Sequence, residues 1–137
     1  MLCWIPGLPF AAFTLLILFG RRIGRFSGWL AVAALTCASA AVLAMAGPVF
    51  HGGRLSVSWL WLGADPRWSI GLAVDGLSWL MLCVVTLIGT MIAVYSTGYM
   101  HEDPRFSRFF AYLSLFCASM LLLVLADSFL LLYAGWE

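Results

Sequence analysis

The chain has 137 residues, of which 64% are hydrophobic and 9% charged, with a net charge of +1. A soluble domain carries roughly a quarter charged residues. The composition is therefore that of an integral membrane chain, and the near-neutral balance gives no ground for a nucleic-acid partner.

The first apolar run, residues 2–20, is long enough to cross a hydrocarbon core of about 30 Å. No basic region precedes it, and Arg21, Arg22 and Arg25 follow it. That order argues against a cleaved signal peptide. It also predicts an external N-terminus, because basic residues stay on the cytoplasmic side. The second run, residues 28–50, is rich in Ala and Ser. Small side chains allow close helix approach in lipid, so this helix is expected to pack on protein.

Residues 51–74 differ in pattern. Ser56-Val57-Ser58-Trp59-Leu60-Trp61-Leu62 and Trp68-Ser69-Ile70-Gly71-Leu72-Ala73-Val74 are strand-like, and Gly63-Ala64-Asp65-Pro66-Arg67 is a turn cluster. Together they predict a β-hairpin on the membrane surface, with Trp59, Trp61 and Trp68 at headgroup level. The plainer alternative is an irregular loop anchored by the same tryptophans. A third helix opens at Asp75-Gly76 and ends near Gly98, a fourth covers residues 109–126, and a fifth starts after Asp127 and is still open at Glu137. Five of the seven Arg fall on the two links assigned to the cytoplasm, and only Arg54 and Arg67 fall opposite. The expected fold is all-α integral membrane: four transmembrane helices plus the start of a fifth, with a periplasmic β-hairpin between the second and third. On this reading the chain is an N-terminal fragment, cut in its fifth helix.

Glu137 is the first candidate for chemistry. The run Ser128-Phe129-Leu130-Leu131-Leu132-Tyr133-Ala134-Gly135-Trp136 ahead of it places it roughly 15 Å along a helix, near the bilayer midplane. An intramembrane carboxyl is a functional residue by default; the alternative is a neutral carboxyl near a helix end. No Lys exists in the chain, so a cationic partner has to come from elsewhere. Asp127 is read first as a cap of the fifth helix and second as a proton entry or exit point. Asp75 is read as a cap of the third helix. His51 and His101 stand at helix ends on opposite sides with no second ligand nearby, which argues against a metal. The four Cys (Cys3, Cys37, Cys83, Cys117) have no metal or redox spacing. Tyr133 lies one turn before Glu137, within reach of a local contact. Tyr112 and Ser114 supply hydroxyls that interhelix packing explains equally well, and Glu102-Asp103-Pro104-Arg105 reads as a solvated turn. No phosphate loop, nucleophile triad or flavin fingerprint is present.

Several stretches carry a resemblance: Val74-Asp75-Gly76-Leu77-Ser78, Tyr95-Ser96-Thr97-Gly98-Tyr99-Met100, Ser107-Arg108-Phe109-Phe110-Ala111-Tyr112, Leu123-Val124-Leu125-Ala126-Asp127 and Leu130-Leu131-Leu132-Tyr133-Ala134-Gly135-Trp136-Glu137. In order and wording they resemble the N-terminal part of the subunit L family of bacterial NADH-quinone oxidoreductase, respiratory complex I. The resemblance is specific from Val74 to Glu137 and rests on layout before that. It implies that residues 1–137 are the N-terminal part of an antiporter-like, proton-translocating membrane domain. That domain has inverted five-helix repeats and sits in the bacterial inner membrane with its N-terminus periplasmic. It implies that Glu137 is the fifth-helix glutamate that pairs with a lysine two helices on. Asp127 matches the aspartate that begins that helix, although Asp127-Ser128 stands where the family usually has Asp-Asn. It implies partners among the other complex I membrane subunits, above all the neighbouring antiporter-like one, besides the lipid bilayer. It implies no cofactor in this chain: NADH, FMN, iron–sulfur clusters and quinone belong to other subunits. Mrp-type cation/proton antiporters and related ion or inorganic-carbon transporters share the vocabulary and give the alternative; a purely structural membrane subunit is a third reading.

Overall fold

The computed structural model describes residues 2–24, 26–50, 55–60 and 69–137. The chain is mostly helical. α1 is Trp4–Ile23, α2 Phe26–Ala44, the short α3 Ala46–Phe50, α4 Gly76–Tyr99, α5 Phe106–Leu125 and α6 Phe129–Trp136. Between α3 and α4 lie β1, Leu55–Leu60, and β2, Ser69–Val74, paired antiparallel with Leu55 opposite Val74 and Leu60 opposite Ser69. The expected strands are therefore present and paired. The turn cluster Gly63 to Arg67, Trp61, Trp68, His51 and Arg54 lie outside the described residues.

Among the described residues, three helical stretches are long and apolar enough to cross a membrane: Phe26–Val49, Gly76–Tyr99 and Phe106–Leu125. Trp4–Gly20 is a shorter apolar helix. The helical state is forced by the medium, because in hydrocarbon each backbone N–H and C=O must be satisfied within the segment. The outward faces remain apolar: Leu18 is 68%, Met91 71% and Phe129 85% exposed within the chain, which suits contact with acyl chains. The second run differs from its sequence reading in one respect. It starts at Phe26 and is interrupted at Met45, so one expected helix becomes α2 followed by α3.

Packing is arranged in two tiers. One tier joins Leu2, just before α1, Ile5 of α1, Val42 of α2, Leu82 of α4 and Leu121 and Leu125 of α5 to Leu72 and Val74 of β2. The other joins Leu16, Ala31, Leu35, Ala93, Phe110 and Cys117. α1 packs most extensively on α5 and then on α2, while α2 packs on α4. The sheet therefore sits at one end of the bundle. The end of α1 and the 100–105 link meet at the other.

That second end is fastened by specific contacts. Gly24 ends α1 with φ 56°, in the left-handed region that favours glycine, and its N–H donates to Gly20 O at 3.0 Å. The Ser107 hydroxyl at the start of α5 donates to Gly20 O at 2.9 Å. A Cβ on Gly20 would fall 3.1 Å from Ser107 Cβ. Inside the bundle, Trp79 Nε1–H of α4 donates to Val42 O of α2 at 2.9 Å. Ser39 Oγ of α2 lies 3.1 Å from Thr90 Oγ1 of α4.

Trp79→Phe keeps the ring and removes the donor to α2. It is expected to cost about 0.5–1.5 kcal/mol in a reversible denaturation assay in mixed micelles. An unchanged midpoint would show that the α2–α4 contact does not depend on that bond.

Candidate functional site

Asp127 and Glu137 bracket α6. The sequence reading made Asp127 the cap of this helix; the structure assigns that role to its neighbour. Ser128 is the N-cap, and its Oγ accepts the Leu131 N–H at 3.3 Å. Ser and Asp are comparable caps, so the choice falls to the residue that the backbone brings over the first turn. Asp127 is held differently. Its N–H donates to Gly71 O of β2 at 2.9 Å, and Leu72 forms an antiparallel bridge with Ala126. A Cβ on Gly71 would meet Asp127 Cβ at 3.3 Å and Oδ2 at 3.4 Å. The strand glycine thus leaves room for the carboxylate beside the sheet, where Asp127 remains exposed.

By contrast, Asp75 caps α4 as expected: its Oδ1 accepts the Ser78 N–H at 2.7 Å. His101 is exposed in the α4–α5 link. Asp103 Oδ1 accepts the Arg105 N–H at 2.7 Å, and residues 102–105 are exposed, as the solvated turn read from the sequence requires. Tyr112 is exposed, while Ser114 is wholly buried and its Oγ has no hydrogen-bond partner among the described residues. Also among the described residues, no group of three His, Cys, Asp or Glu converges on a metal position.

Glu137 follows the last turn of α6, and its N–H donates to Tyr133 O at 3.0 Å. That is the ordinary helical bond of the last turn. Glu137 lines a cavity of about 600 Å³ bounded by α1, α5, α6 and β2. Cys3, Gly7, Phe10, Leu122 and Ala134 are among the other residues on its wall. Glu137 is the one charged side chain among those described there. The two acidic candidates are not brought together: ten residues of chain place them roughly 15 Å apart along the helix. They share a scaffold instead. α6 lies against α5 so closely that a Cβ on Gly135 would fall 3.0 Å from Leu123 N and 3.2 Å from its Cα. Gly135 thus sets where the helix end, and Glu137 with it, stands. The sequence reading missed both glycine contacts. Their only signal was a Gly next to Trp136-Glu137 and another in a β-prone run.

Residues 59–110 match the family described as NADH-Ubiquinone oxidoreductase (complex I), chain 5 N-terminus. NADH-quinone oxidoreductase subunit L of Mycobacterium tuberculosis is 38% identical over 97% of this chain and 22% of its own length. The Escherichia coli K12 protein of the same name is 39% identical over 95% of this chain and 22% of its own. That of Pseudomonas aeruginosa is 41% identical over 90% and 21%. The structure of the Mrp complex from Dietzia sp. DQ12-45-1b contains a chain that superposes with a TM-score of 0.79 and 29% identity, over 99% of this chain and 14% of that one. The chain thus spans about a fifth of the length of the curated relatives it matches.

Gly135→Val should push α6 away from α5. Overpacking of this kind costs about 1–3 kcal/mol, read as lower thermal stability in detergent, and the reaction of Glu137 with a hydrophobic carbodiimide should change in rate. If both stability and rate match the unaltered chain, α6 does not lie against α5 as described.

Proposed function

Since this chain is homologous over nearly its whole length to NADH-quinone oxidoreductase subunit L, we propose that it forms the N-terminal part of a proton-translocating membrane subunit of that enzyme. The observation that carries the reading is identity of 38–41% across 90–97% of the chain with the subunit L of three bacteria. On this reading residues 1–137 are part of an antiporter-like domain. α1, the α2–α3 stretch, α4 and α5 are its first four membrane helices, and α6 is the start of the fifth. Quinone reduction occurs in other subunits, with NADH, FMN, iron–sulfur clusters and quinone bound there. The partners are the other membrane subunits, foremost the adjacent antiporter-like one.

Glu137 is the proposed proton-exchanging group. A carboxylate in low dielectric is stable beside a cation and unstable alone. With a cation from the rest of the subunit close by, Glu137 is ionised. When that cation moves away or loses its charge, Glu137 takes up a proton, and the cation's return expels it. Redox energy released elsewhere can drive the exchange only by stabilising one of these states more than the other. Asp127 is the proposed port, placed beside the sheet where a proton leaves or enters the path. Glu137 is exposed within the chain and stands on a largely apolar wall, a position open to a cation from the rest of the subunit.

The proposed membrane is the bacterial inner membrane, with the N-terminus and the sheet on the periplasmic side. This rests on the sequence bias of Arg, five of the seven falling in residues 21–25 and 105–108, the stretches assigned to the cytoplasm. A second reading, a subunit of an Mrp-type cation/proton antiporter, is favoured by the match to the Mrp complex chain. Under it Glu137 would perform the same exchange without redox coupling.

The orientation is tested in a chain freed of native Cys. Ser58→Cys, exposed on β1, should react with an impermeant maleimide on intact spheroplasts. Glu102→Cys, exposed in the α4–α5 link, should react only after lysis. The reverse pattern would invert the topology.

In assembled, membrane-bound enzyme, Glu137→Gln should abolish most proton translocation while subunit content stays normal. Loss of one partner of a buried pair destabilises by about 3–5 kcal/mol, so translocation is compared with NADH-quinone turnover at equal assembly. Glu137→Asp should be milder. Normal pumping in the Gln variant would leave Glu137 a structural polar residue. A cation/proton exchange independent of NADH would favour the antiporter reading.

A further inference from the structure

We propose that the Arg-bearing end of the bundle is a binding site for an anionic phospholipid, with the phosphate beside Arg105 and Arg108 and the glycerol and first acyl methylenes in the apolar groove next to it. Two depressions adjoin there. The first, about 640 Å³, lies where the α4–α5 link meets the end of α1, with Arg105, Arg108, Ser107, Gly20 and Gly24 among its walls. The second, about 350 Å³, is lined by Phe26, Trp29, Thr97, His101 and Phe106. His101 and Phe106 belong to both. A polar, cationic hollow that runs into an aromatic one has the polarity sequence of a lipid entering from headgroup to chain, which a free phosphate does not need.

The joint is built by small residues. Gly28 lets Phe106 close on α2, where a Cβ would stand 3.0 Å from the ring. Gly20 lets Ser107 close on α1, and the Ser107 hydroxyl is held by Gly20 O at 2.9 Å and Gly24 O at 3.3 Å. Phe26 and Trp29 are 75% and 65% exposed, at the level where aromatic rings face headgroups. Asp103 is the one described carboxylate on the walls, and its Oδ1 is engaged with the Arg105 N–H at 2.7 Å. Arg105 and Arg108 are exposed and so are available to a diester phosphate. Basic pockets between membrane helices select such headgroups over zwitterionic ones.

The test uses the full chain in detergent, loaded with phosphatidylglycerol or phosphatidylcholine and read by native mass spectrometry. One phosphatidylglycerol per chain should survive, favoured about fivefold or more over phosphatidylcholine. Near 1 kcal/mol per Arg, Arg105→Gln with Arg108→Gln should lower retention roughly 25-fold. Each single change should give about fivefold, and serves if the double variant loses helical content. Arg22→Gln, at the same end but not on the walls, should change little. Soluble glycerol phosphate at equal concentration should not displace the lipid. Equal retention of the two lipids would overturn the proposal. So would an Arg22→Gln loss as large as that of the pair, or displacement by glycerol phosphate, which would mark a free-phosphate site.

Discussion

Helices in a bilayer gain nothing from expelling water between them, because acyl chains are as apolar as Leu; they associate through close packing and hydrogen bonds. The contacts of this chain follow that constraint. α1 meets α5 at Gly20, α2 meets the Phe106 ring at Gly28, α4 meets Cys117 of α5 at Gly89, and α6 meets the backbone of α5 at Gly135. Hydrogen bonds across helices are few and placed where a side chain reaches a carbonyl that the neighbouring helix leaves accessible, as Trp79 does at Val42 and Ser107 at Gly20. α5 takes part in most of these contacts. It is the post on which α1, α4 and α6 are set.

The candidate site inherits its geometry from that post. Glu137 stands at the end of a short helix with only Gly135 buried, so α6 cannot position itself by a wide apolar face. It is located instead by its first residues and by one close crossing. The backbone bond from Asp127 to Gly71, the Leu72–Ala126 bridge and the Ser128 cap fix where α6 begins, and Gly135 fixes how near it lies to α5. The sheet therefore acts on Glu137 from a distance, through the start of the helix that carries it.

Much of this was legible in the sequence. Apolar runs bounded by Arg clusters and by Asp75 gave the helices to within a few residues, because hydrophobic length and capping chemistry are local. Alternation of Val, Leu and Trp with Ser gave the two strands for the same reason. The cap of α6 was misassigned between Asp127 and Ser128, since adjacent residues of equal capping ability are separated only by the backbone path. The break at Met45 was also missed: Ala, Leu and Met on both sides favour a continuous helix. The glycine crossings could not be read at all. A glycine declares its partner only when another segment arrives: Ser107, Phe106 and Asp127 arrive from far along the chain, and Leu123 only once α6 folds back on α5.

The Ser107–Gly20 bond joins residues 87 apart in sequence. At about 5–20 residues per second of synthesis, the end of α1 exists for several seconds before its fastening residue leaves the ribosome. During that interval Gly20 O has only the Gly24 N–H as a partner, and α1 is held by its apolar length and by its packing on α2. The bundle is thus assembled in the order of translation but fastened from its far side, with the end of the first helix tied only when the helix three spans later has been laid beside it.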